Sequence, residues 1–93
     1  DSSGMTPLAS AALAGKVPVA VLLLERGAAI GSRDAAGMTP LHLAASWGRA
    51  EMAEFLLQKG ADPRATDSKG RTPAAVARDE GHSDLAARLA VRP

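Results

Sequence analysis

The sequence predicts an all-α repeat protein, a solenoid of stacked helix-turn-helix units joined by polar loops. Three observations carry that expectation. Glycines recur on a period of 33: Gly4, Gly37 and Gly70, then Gly15, Gly48 and Gly81, then Gly27 and Gly60, with Gly31 left over. Thr6-Pro7, Thr39-Pro40 and Thr72-Pro73 keep the same spacing, as do Asp1, Asp34 and Asp67, and Leu23, Leu56 and Leu89. Between residues 1–33 and 34–66, 14 of 33 positions are identical, a match that chance does not hold in register with glycine and proline. The chain is therefore read as one domain of three units, 1–33, 34–66 and 67–93.

In the second unit, Thr39 is placed to cap a helix and Pro40 to open it, where a missing N–H costs nothing. That helix is expected over about Pro40–Trp47, ended by Gly48 with positive φ. A second helix is expected over about Glu51–Lys59, with Met52, Phe55 and Leu56 at i, i+3 and i+4 on one apolar face. Gly60 stops it, and residues 61–70 form a polar connector. The first unit copies the plan, with helices over about Pro7–Ala14 and Pro18–Arg26, stopped by Gly27. Helices this short are not stable alone in water. Each pair must bury its apolar face on the next.

Composition narrows the function classes. The chain has 93 residues, 46% hydrophobic and 23% charged, which is globular rather than disordered. Eleven basic and ten acidic residues leave a net charge of +1, so no strong field draws it to nucleic acid or an anionic membrane. There is no cysteine, hence no disulfide, thiolate nucleophile or cysteine zinc site. The longest strongly apolar stretch, Val17 to Leu24, is too short to span a bilayer. One Trp, one Phe and abundant alanine imply helices brought close by small side chains.

The motif Gly37-Met38-Thr39-Pro40-Leu41-His42-Leu43-Ala44-Ala45, followed by Gly48, Leu56-Leu57 and Gly60-Ala61-Asp62, resembles the ankyrin repeat. The resemblance spans the whole chain as three consecutive repeats, and the period is that family's own. It implies L-shaped units, each of two antiparallel helices and a projecting hairpin-like loop, stacked into a slightly curved array. It also implies that His42 hydrogen-bonds backbone and a threonine hydroxyl, tying one repeat to its neighbour. Ala9 and Ala75 stand at that position in the outer repeats, which should be less firmly held. Arg78, Asp79 and Glu80 replace Ala45, Ser46 and Trp47, and Arg88 stands where the others have Leu22 and Phe55. That charged face, with Pro93 in the slot of Gly27 and Gly60, reads as a C-terminal capping repeat that ends the array. At the other end, Leu8, Ala11, Ala12, Leu13 and Ala14 leave the first helix almost no polar face, and further repeats are expected before Asp1.

No residue set suggests catalysis. His42 and His82 occupy different motif positions in different repeats, and each is read as structural. Asp79, Glu80 and Asp84 are explained by a solvated face. Gly27 to Gly31 lacks the Gly-Lys-Ser/Thr ending of a phosphate loop. No cofactor, metal or small-molecule substrate is expected.

Binding is the expected function. The resemblance implies a concave surface of hairpin tips and first-helix residues. In this chain these are Ser2, Ser3, Met5, Leu13 and Ala14; then Arg33, Ala35, Ala36, Met38, Ser46 and Trp47; then Thr66, Ser68, Lys69, Arg71, Asp79 and Glu80. Trp47 falls there rather than at a core position, and exposed Trp is enriched at interface hot spots. Met5 and Met38 share one column and suit an adaptable contact. The surface is expected to be apolar near Met5, Met38 and Trp47, grading to a basic edge of Arg33, Lys69 and Arg71, with Asp79 and Glu80 deeper. The reading is a monomeric protein–protein interaction scaffold that grips another protein or peptide, with no membrane partner. Two alternatives are a spacer within a longer array and a nucleic-acid-associated module; the near-zero charge and single exposed aromatic argue against the second. The family's arrays are usually intracellular, which implies cytoplasm or nucleus.

Overall fold

The computed structural model describes residues 4–90. Those residues form six helices: α1 Pro7–Ala14, α2 Val17–Glu25, α3 Pro40–Ser46, α4 Ala50–Gln58, α5 Pro73–Asp79 and α6 Ser83–Leu89. They make three antiparallel pairs, α1/α2, α3/α4 and α5/α6, stacked into a body of 32 × 26 × 23 Å. No described helix is long and apolar enough to cross a membrane. Ser2, Ser3 and Pro93, which carried parts of the sequence reading, lie outside the described residues.

Each first helix starts the same way. Thr6, Thr39 and Thr72 sit extended, and their hydroxyls accept from the amides of Ala9, His42 and Ala75 at 3.1, 3.3 and 3.2 Å. The proline that follows needs no partner for a missing N–H. The helix ends differ from expectation by one residue. α3 stops at Ser46, because Trp47 leaves helical geometry at φ −101° and ψ 8° before Gly48 reverses the chain at φ 69°. α2 begins at Val17, which puts Pro18 second, still inside the turn whose N–H groups have no intrahelical acceptor.

Between pairs, packing is strongest along the row of first helices, α1 on α3 and α3 on α5, while α2 touches α4 lightly. Alanine makes the close row possible. Ala11, Ala44 and Ala77 are buried at one repeat position, and Ala20 and Ala53 at another. Leu8, Leu41, Met52, Leu56, Leu85 and Leu89 close the core around them.

The connecting loops hold no strand among the described residues. Each is closed by an aspartate instead. Asp34 Oδ1 accepts from the amides of Ala36 and Met38, and Asp67 Oδ1 from those of Lys69 and Arg71, all at 2.9 Å. One backbone bond, Ser68 N–H to the Ala36 carbonyl at 3.0 Å, ties the two tips. Gly37 sits under that bond. A Cβ there would lie 2.8 Å from the Ser68 nitrogen, and its φ of 76° already disfavours a side chain.

One expectation about the C-terminal end needs correction. In α1, Leu8, Ala11 and Ala12 are buried in the stack, while Pro7, Ser10 and Ala14 stay exposed. Arg88 is not on the terminal face. It reaches back to Glu54 in α4 at 3.4 Å, since its repeat position points toward the preceding pair.

Ala44 has no exposed surface and lies mid-way along α3, between α1 and α5. Ala44→Leu should cost about 1–3 kcal/mol or more through overpacking, read from urea denaturation.

Candidate functional site

The surface residues form columns, because the repeat brings equivalent positions side by side. Met5, Met38 and Arg71 each precede a capping threonine and make the first column. Leu13, Ser46 and Asp79 make the second, near the ends of the first helices; Ala14, Trp47 and Glu80 make the third. Met5 and Met38 are half-buried. Trp47 is 55% exposed, and among the described residues its indole N–H has no hydrogen-bond acceptor and its ring no cationic partner.

The expected single apolar patch divides in two. Met38 and Trp47 flank opposite ends of α3, nine residues apart, which a helical rise turns into roughly 14 Å. The basic edge also changes character. Arg71 bonds Asp67 Oδ2 at 2.9 Å and Asp79 Oδ2 at 3.4 Å, so it joins the first column to the second. Arg33 donates to the carbonyls of Gly37, at 3.0 Å, and Thr66. Both guanidinium groups are thus committed to the fold. The ammonium of Lys69 and the carboxylate of Glu80 are exposed and have no bonding partner among the described residues.

Electrostatics follow from these partners. Burial pushes the Asp67 carboxyl up, but amide bonds from Arg71 and Lys69 and the Arg71 guanidinium outweigh it and hold the group below its ordinary range. The Asp67 bond in turn raises Arg71, which stays charged.

His42 is fully buried at the base of the surface. Its Nε2–H donates to the Arg71 carbonyl at 2.8 Å, across the boundary between the second and third pairs. Its Nδ1 accepts from the Thr39 hydroxyl at 2.8 Å and the Thr39 amide at 3.2 Å. Both ring nitrogens are satisfied only by the neutral imidazole, because a proton on Nδ1 would face the Thr39 N–H. Burial lowers the pKa, and the bond to the Arg71 carbonyl only partly offsets it.

Sequence reasoning missed two further ties. Arg49 Nε donates to the Leu13 carbonyl at 3.0 Å, and His82 Nε2 donates to the Ser46 carbonyl at 3.1 Å. Arg49 and His82 are equivalent positions, each following the glycine of an interhelical turn, and that register was the available signal. The His82 ring fills the space beside Gly48, where a Cβ would meet it at 2.8 Å. His82 also lines a hollow of about 370 Å³ with Gly48, Ala50, Ser83, Asp84 and Arg88.

A family model described as ankyrin repeats (3 copies) matches residues 1–67 and 27–92. The chain belongs to the ankyrin repeat family. A comparison with curated proteins returned no match. Ankyrin repeats are generally protein–protein interaction modules and typically non-enzymatic scaffolds. The six-helix architecture is that of an ankyrin solenoid, with His42 as one of its cross-repeat ties.

Removing the imidazole strands the Arg71 carbonyl and the Thr39 hydroxyl. His42→Ala should therefore lose about 2–3 kcal/mol at pH 7.5 by urea denaturation. The native His42 binds protons less readily than the unfolded one, so its contribution is complete above pH 6.5 and declines as pH falls below that value toward the lowered native one. The stability profile of the wild type should bend downward there, and that part of the bend should be missing in His42→Ala.

Proposed function

We propose that this ankyrin domain is a monomeric, non-enzymatic scaffold that binds another protein or a peptide. The contact surface is the one built from hairpin tips and the inner faces and ends of the first helices. Met5, Met38, Ser46, Trp47, Lys69 and Glu80 offer contact atoms, while Arg33, Arg71 and Asp79 set the shape and charge around them. The observation that carries this reading is Trp47. The core closes without it, and the chain leaves its one tryptophan more than half exposed at the end of α3. Large exposed aromatics of this kind anchor interfaces.

The close row of first helices and the looser row of second helices favour a stack that bends toward the first row, which makes this side the hollow one. Third-pair residues Arg78, Asp79 and Glu80 are all exposed, as a capping repeat requires. A cytoplasmic or nuclear location follows the habit of the family.

Two measurements test the reading. Trp47→Ala should change stability by less than about 1 kcal/mol, because the ring covers no core residue. Selection of a displayed random peptide library on the wild-type domain should enrich ligands whose affinity falls by about 2 kcal/mol or more in Trp47→Ala. Because Trp47 is the sole tryptophan, those ligands should also shift its fluorescence. Ligands that bind unchanged to the Met38, Trp47 and Arg71 triple alanine variant would place the contact elsewhere.

A further inference from the structure

We propose that the open side of α1 and α2 is a docking surface for one more helix pair of the ankyrin type, supplied from the N-terminal side. Equivalent positions along the stack differ in exposure. Met52 in α4 is 1% exposed and Leu85 in α6 is 4% exposed, each in a pair that has another pair before it. Val19 is their equivalent in α2, and it is 43% exposed. Phe55 is half-buried, lining a groove with Val21 and Leu24 of the preceding pair; its equivalent, Leu22, is 47% exposed. Pro40 and Pro73 are buried, and Pro7 is exposed. The first pair therefore keeps apolar side chains at the positions that its successors cover.

Two further features belong to the same surface. A hollow of about 240 Å³ opens between α1 and the following loop, lined by Thr6, Pro7, Leu8, Leu23, Ala28 and Ser32. The equivalent hollow of the second pair is lined by Thr39, Ala61 and Ala65, and there Ile30 and Gly31 of the preceding loop form one wall. An apolar side chain in the register of Ile30 would occupy the same place beside Leu8. Lys16 is the equivalent of Arg49 and His82, which each donate to a carbonyl of the preceding pair. Its ammonium has no partner among the described residues. The surface thus has the apolar contacts, the socket and the donor of the two established interfaces. Ser10, where the later pairs have Leu43 and Val76, is the one polar departure, and its hydroxyl can bond the carbonyl one turn back in its own helix. A second copy of this chain is a poorer occupant. Its outward side at α5 and α6 presents Arg78, Ser83 and small alanines rather than leucines.

A copy of residues 1–33 joined ahead of Asp1 is a suitable probe, because it brings an Ile30 side chain and a Leu13 carbonyl in register. The extended chain should melt in one transition, about 5 °C or more above the 93-residue chain, with new hydrogen-exchange protection at Val19 and Leu22. Leu22→Glu should leave the 93-residue chain's melting point nearly unchanged and abolish most of the gain in the extended one. Separate melting of the added segment, or an unchanged midpoint, would overturn the proposal. So would concentration-dependent self-association of the 93-residue chain that Leu22→Glu removes, since it would assign the surface to a second copy.

Discussion

The structure depends on how closely α1, α3 and α5 approach one another. Ala11, Ala44 and Ala77 line that approach, and a methyl group is all the space allows. Helices of seven to nine residues have too few internal hydrogen bonds to persist alone. Tight apposition lets each borrow stability from two neighbours. The leucines at the margins, chiefly Leu8, Leu41, Leu56 and Leu89, then seal the seam against water. Interiors packed to this density tolerate neither holes nor extra volume, so the alanine positions are as demanding as the leucine ones.

Four polar side-chain contacts between repeats share one design, and the Arg88–Glu54 ion pair stands apart from them. His42, Arg33, Arg49 and His82 each donate to a main-chain carbonyl in an adjacent repeat: those of Arg71, Thr66, Leu13 and Ser46. None of the four needs a particular side chain opposite it. Arg71 differs, because its two carboxylate partners lie in its own repeat, within the hairpin and at the end of α5. It stiffens a unit, whereas the other four join units. No buried side-chain polar atom among the described residues is left without a partner.

Much of this was legible in the sequence for a simple reason. Periodic glycine and Thr-Pro pairs report backbone geometry directly, so helix existence, order and caps could be read to within a residue. His42 was legible because its motif position fixes its partners. The surface was less so. Sequence identified Arg33 and Arg71 as charges on an edge, but it could not show that Thr66 and Gly37 carbonyls occupy one and that Asp67 and Asp79 occupy the other. Arg88 was misplaced because a repeat position names a direction only when the stacking sense is known. A helical wheel shows that one side is apolar without showing which neighbour covers it.

The carbonyl-directed ties bear on how such a molecule can change over time. Every residue type has the same main-chain oxygen, so a mutation at Leu13 or Ser46 leaves the acceptor intact. A unit can be copied, lost or exchanged for another without a matching change next door, provided the methyl-sized seam survives. Outward-facing side chains are then free to diversify, and a new specificity requires no redesign of the scaffold beneath it.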